Sequence, residues 1–264
     1  MKGKFLLILL ILSVLNIIKS DSSNTFQFLS EVVQDSKFPD QEWKDCDKNE
    51  AVVELNKKKI VQDFPLFESN PYNLWDSSKE NREMIYKTLN NTDLVCSLKY
   101  EDDSKETYSL KTFSTKAESD RAGYIVTHYG RCGSCSTLHD LVLYLTVDMT
   151  KKVSWCAFKS LFSNKLAMSC LKNIGFTDSC AQIWLYNSIY TSKNCLAICL
   201  YCQTFNIPKI DKNGKLNKCL SCDENKSGPV FKYYSGRTRR NSGIKSEIPR
   251  DPREVVKMEH CYYK

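Results

Sequence analysis

Apolar residues recur every three or four positions through most of this chain and switch to period two over one short stretch. TFQFLSEVVQ (25–34), AVVELNKKKIVQDF (51–64) and SSKENREMIYKTLN (77–90) each set an apolar stripe against a polar face, the spacing of an amphipathic helix. The serines opening the third suit a helix cap. From 95 to 113 the pattern changes. VCSLKY and ETYSLKTFS alternate around the polar turn EDDSK, which predicts a β-hairpin, and YIVTHY (124–129) predicts a third strand ending at Gly130.

Helical spacing then returns. STLHDLVLYLTVDM has Ser136 placed to accept from the first free amides. VSWCAFKSLF, LAMSCLKNIG (stopped by Gly175), DSCAQIWLYNSIY and NCLAICLYCQTF follow. Beyond a Pro208–Gly214 loop, LNKCLSCDENK reads as the last helix. The pattern predicts an α+β, predominantly helical fold: disulfide-crosslinked helices with a small antiparallel sheet near 95–128. It divides into an acidic helical segment plus hairpin over 21–120 and a cysteine-rich helical core with a basic loop over 121–264.

The opening MKGKFLLILLILSVLNIIKS places an apolar run of 14 residues, Phe5 to Ile18, between lysines and Ser20. Crossing a bilayer takes about 20 residues. The segment 1–20 therefore reads as a cleavable secretory signal, with a retained signal anchor as the rival. The expected address is secreted, or the lumen of the secretory or endolysosomal pathway, with no transmembrane span after cleavage.

That address changes how the 13 cysteines are read, because an oxidising compartment favours disulfides. Cys195, Cys199 and Cys202 share one helix face, and Cys219 and Cys222 share a face on the next helix. Antiparallel packing would let them pair across the seam. The same residues spell CLYC…CLSC, the spacing of a structural zinc site, but oxidation removes the thiolates zinc needs. No metal or cofactor is expected. Thirteen is odd, so one thiol is free, shared with another chain or modified.

Without 1–20 the chain carries 35 basic and 31 acidic side chains. Residues 21–110 hold 11 basic and 19 acidic groups, and 111–264 hold 24 and 12. The two halves either attract each other or leave a basic surface for an anionic partner. One short basic cluster argues against nucleic acid.

Three readings compete for GRCGSCS (130–136). As a catalytic thiol, Cys135 would sit at a helix start, where free amides favour the thiolate. His128 or His139 would be its base and Asp140 the orienting carboxylate. As a redox pair, CGSC would follow a strand and open a helix, but no βαβ alternation surrounds it. As crosslinks, Cys132 and Cys135 would both be structural. The six residues Gly130–Cys135 resemble the papain-like cysteine protease signature, which implies Cys135 attacking and Cys132 crosslinked. The likeness is local. Tyr129 stands where that family has a glutamine and Ser136 where it has an aromatic residue. Downstream of Cys135 the only histidine beyond His139 is His260, with no asparagine behind it.

Farther on, Asp223, Asn225 and Ser227 alternate like half a calcium loop, but Tyr234 occupies the position of the bidentate acid. Asn90 and Asn225 open glycosylation sequons. Arg237, Arg239 and Arg240 stand between Gly236 and Gly243. Guanidinium forks there would suit an anionic small molecule, a sulfated glycan or a lipid head group. Together HYGRCGSCSTLHDL, CAQIWLYN and CLSCDENKSGPVFKYYSGRTRRNSG resemble uncharacterised cysteine-rich secreted proteins of microbial eukaryotes over about 121–245. That resemblance implies a luminal or extracellular address and a shared domain, and supplies no activity. The functional expectations are a secreted disulfide-rich protein binding an anionic ligand through the arginine loop, a thiol-dependent hydrolase, or a structural component of a secreted matrix or granule.

Overall fold

A computed structural model describes residues 43–245, 248 and 251–264. The expected signal at 1–20 and the helix at 25–34 lie outside the described residues. The described residues form ten α-helices and four strands; helices and strands alternate in the first half, and helices fill most of the second. α1 is Lys48–Lys57 and β1 is Lys59–Ile60; α2 is Pro71–Ser77 and α3 is Lys79–Leu89. β2 is Val95–Tyr100, β3 Thr107–Phe113, α4 Lys116–Arg121 and β4 Ile125–Tyr129. Then come α5 (Leu138–Thr146), α6 (Met149–Ser160), α7 (Asn164–Ile174) and α8 (Asp178–Thr204), followed by α9 (Lys218–Lys226) and α10 (Gly228–Ser235).

The hairpin forms in the expected place, with Val95 opposite Phe113 and Tyr100 opposite Tyr108. β4 pairs antiparallel on the other side of β2, with a register shift between Cys96 and Ser97. The sheet is mixed rather than purely antiparallel, because β1 adds parallel to β3 and the strand order is β1-β3-β2-β4. β1 also explains why the helix expected over 51–64 stops at Lys57. The amides of Lys59 and Val61 donate to Glu106 and Tyr108 carbonyls, so the edge of the hairpin takes the backbone that another helical turn would have used.

Helix boundaries elsewhere follow local chemistry. Ser78 caps α3 through Asn81 N, and Gly175 closes α7 at φ +111°. The two helices expected after Thr177 are one, 27 residues long, since neither glycine nor proline interrupts it. Another helix, α10, follows LNKCLSCDENK, with Pro229 in its first turn where no amide hydrogen is needed. The half calcium loop lies on α9, where Asp223 accepts from Thr191 Oγ1 and Ser227 Oγ, each at 2.5 Å.

The main core gathers α1, α5, α6, α7 and the first half of α8 around Leu55, Leu138, Leu141, Leu171 and Ile183. A smaller core joins α2, α3 and α10 to the middle of α8, where Tyr72 and Tyr190 stack at 4.4 Å. Among the described residues no helix is long and apolar enough to cross a membrane.

Six disulfides lock these elements: Cys46–Cys261, Cys96–Cys132, Cys135–Cys180, Cys156–Cys170, Cys195–Cys222 and Cys199–Cys219. The last two cross the α8–α9 seam, as the shared faces suggested. Cys202, also a disulfide candidate, is instead the free cysteine, buried one turn beyond Cys199. Each closed loop contributes typically about 2–4 kcal/mol by restricting the unfolded chain.

Candidate functional site

The segment 130–136, between β4 and α5, meets the segment 234–243 that follows α10. The amides of Ser134 and Cys135 donate to the carbonyls of Tyr234 and Ser235, both at 2.9 Å, satisfying acceptors that the end of α10 leaves open. Such a close approach needs glycine on both sides. A β-carbon on Gly133 would lie 2.7 Å from Gly236 N, and one on Gly236 would lie 2.7 Å from Ser136 Oγ. Gly236 also sits at φ +72°, a conformation side chains disfavour.

Ser136 does not cap α5; Thr137 does, accepting from Asp140 N at 3.0 Å. Ser136 turns inward. Its Oγ accepts from Gly133 N and lies 2.8 Å from His128 Nε2. Because His128 Nδ1 faces the Tyr129 carbonyl at 2.9 Å, Nδ1 carries the proton and Nε2 accepts from the serine. A hydroxyl donating to an imidazole is the pairing of an activated nucleophile. Here both residues are fully buried, and the imidazole's other nitrogen is held by a carbonyl instead of a carboxylate. Burial first, and then the Arg237 charge, push His128 well below its ordinary value, so it is neutral.

Arg237 organises the centre from within. Nη1 donates to Thr127 O at 3.0 Å and to Ser242 Oγ at 3.2 Å; Nη2 donates to Ser136 O at 3.0 Å and to Thr127 Oγ1 at 3.2 Å. Its side chain is fully buried. Among the described residues it makes no ion pair, and desolvation lowers its pKa. His260 completes the cluster: Nε2 donates to Ser242 O and Nδ1 accepts from Tyr262 Oη, both at 2.9 Å. Burial and the Arg237 charge lower it to about 3.

These contacts correct the expected site. Cys135 is bonded to Cys180 in the first turn of α8, and Cys132 to Cys96, so neither is a thiolate at a helix terminus and the redox pairing of the two is also absent. His139 is exposed and donates to the Gly175 carbonyl at 2.7 Å. Asp140 ties the starts of α5 and α8 together, accepting from Thr137 Oγ1, Thr177 Oγ1 and Thr177 N at 2.7–3.0 Å. Burial raises its pKa.

The arginine loop is likewise committed to the fold. Arg239 donates to Val147 O at 2.8 Å, past the end of α5. Arg240 points outward and pairs with Glu224 and Glu254 at 3.2 and 3.0 Å. Gln182 and Asn187 find their partners elsewhere. Gln182 holds the Phe67 backbone by both its oxygen and its nitrogen, and Asn187 accepts from Tyr72 Oη.

Thr127 and Ser242 are parts of the centre that sequence reasoning missed, being common residue types without motif spacing whose one sequence signal is the pair of glycines facing each other across it. His260 stands out in the sequence only as a downstream histidine with no asparagine behind it, which does not place it in this centre. Among the described residues, Cys46, Glu259 and Cys261 have ligand atoms within 4.8 Å of one another. The two sulfurs are joined to each other, and Glu259 accepts from the amides of Lys44 and Asp45. That group therefore offers no thiolate to a metal. Asn90 is exposed at the end of α3, and Asn225 is exposed on α9.

A family model described as a family of unknown function (DUF8771) matches residues 164–258. The match runs from α7 through the arginine loop, leaves the 130–136 segment outside, and is consistent with an uncharacterised family. No curated protein and no solved structure matches the chain.

Proposed function

We propose that this chain is an exported, disulfide-locked scaffold, a structural component of a secreted matrix or granule, acting through its outer surface. The observation that carries this reading is that its polar centre is spent on itself. Arg237, His128, Ser136 and His260 bond one another's segments and are all buried. Twelve of the thirteen cysteines are crosslinked, which fits an oxidising compartment. The thiol-hydrolase reading loses its nucleophile, and the anion-binding reading loses the forks of Arg237 and Arg240 to internal partners.

Alkylation mapped by mass spectrometry tests this. Without reductant, the native protein should take up no label, and the denatured protein should be labelled at Cys202 alone. Native labelling of Cys135 would overturn the scaffold and restore the hydrolase. Retention on heparin that vanishes in Arg239→Ala with Arg240→Ala would restore the anion-binding loop.

A further inference from the structure

The α6–α7 hairpin carries an apolar surface that the core does not use. Val153, Cys156, Ala167 and Leu171 face inward and are buried. On the other side Trp155, Leu161, Phe162 and Leu166 stand 51, 42, 65 and 58 % exposed. The rings form a continuous row, Trp155 on Phe158 at 5.9 Å and Phe158 on Phe162 at 5.4 Å, leading to the turn that joins the helices. Clustered large apolar side chains at one tip are unlike the singly scattered ones that need no explanation.

Charge narrows what fits this tip. Residues 149–177 contain five lysines and no aspartate or glutamate, with Asp148 and Asp178 just outside and Lys172 paired to Asp178 at 2.8 Å. Lys159 lies over the Trp155 ring at 5.5 Å, its stem along the aromatic row. A Trp/Phe/Leu surface rimmed by lysines is the composition of an interfacial membrane anchor. The rings enter the headgroup boundary while the ammonium groups snorkel to anionic lipid. The Cys156–Cys170 disulfide joins the two helices, so the tip is held in shape before it meets a surface.

We propose that the α6–α7 tip docks this protein onto anionic lipid bilayers, with Phe162 and Leu166 inserted and Lys159 and Lys165 at the headgroups. This deepens the scaffold reading by naming the surface that acts. The two fail separately, since alkylation at Cys135 would overturn the scaffold without bearing on vesicle binding.

Sedimentation of the whole exported chain with phosphatidylcholine vesicles, with and without phosphatidylserine, tests it. Binding is expected only with phosphatidylserine and should weaken as salt is raised. Phe162→Glu with Leu166→Glu should lower the partition about tenfold or more, as should Lys159→Glu with Lys165→Glu. All four side chains are at the surface or its margin, so circular dichroism should stay unchanged. Phe205→Glu, on the exposed end of α8, should bind as the parent does. Absence of binding to phosphatidylserine vesicles would overturn the proposal. So would unchanged binding of the Phe162/Leu166 variant, loss of binding with Phe205→Glu alone, or self-association without lipid that the Phe162/Leu166 variant abolishes.

Discussion

Arg237 is fully buried, pairs with no carboxylate among the described residues, and shares its fork among four neutral oxygens. Replacing it with alanine would leave the Thr127 and Ser136 carbonyls buried without a donor. The expected cost is about 3 kcal/mol or more in urea unfolding. Arg240, which makes two ion pairs outside the centre and is 28 % exposed, should cost below about 1 kcal/mol when replaced by alanine. Equal effects would contradict the division between a structural and a peripheral arginine. Sequence reading grouped the three arginines because a basic run between glycines looks the same whether its members point in or out. Local spacing does not report burial, and Arg237 departs from the strong tendency of arginine to be exposed. The same limit applies to Cys135: a helix start was legible, but its partner Cys180 is 45 residues away.

At the scale of elements, the backbone contact between 133–135 and the end of α10 has a distinct sensitivity. Gly133→Ala and Gly236→Ala each force a β-carbon into facing backbone, and should cost at least about 2–3 kcal/mol. Gly214→Ala is the control, since Gly214 also has φ +78° but nothing lies within 4 Å of its added carbon. It should cost about 1 kcal/mol, from conformation alone. A loss at Gly236 no larger than at Gly214 would show that strain, not the close approach, decides there, and a negligible loss at Gly133, which is not at positive φ, would contradict the close approach itself. Periodicity revealed the hairpin, the third strand and most helices, because one-sided burial writes itself into spacing. It missed β1, whose two residues pair in parallel with a strand nearly fifty positions later. It missed α2 and α10, which are seven and eight residues long and too short to show a repeating stripe. The α8–α9 crosslinks were legible because helical geometry places the cysteines on facing stripes.

For the molecule as a whole, two buried neutral histidines set a direction for acid sensitivity. His128 and His260 have native values below the ordinary 6.5, while the unfolded chain protonates near that value. The unfolded state therefore binds more protons below about pH 6.5, and stability present above it is lost as pH falls towards the native values. Between about pH 7 and pH 5.5 the two together should remove about 2 kcal/mol, read from the urea midpoint. Asp140, raised by burial, has the opposite sign and offsets part of the loss at lower pH. A midpoint that holds or rises over that interval would contradict neutral burial of both rings.

The Cys46–Cys261 bridge spans a separation of 215 residues and joins the two ends of the described body. A tensile load entering at position 46 and leaving at position 261 would pass through two sulfur atoms, bypassing the helices and sheet between them. Roughly 700 Å of contour is thereby withheld from stretching. The body behaves under tension as a short inextensible link, and only reductant would let it lengthen.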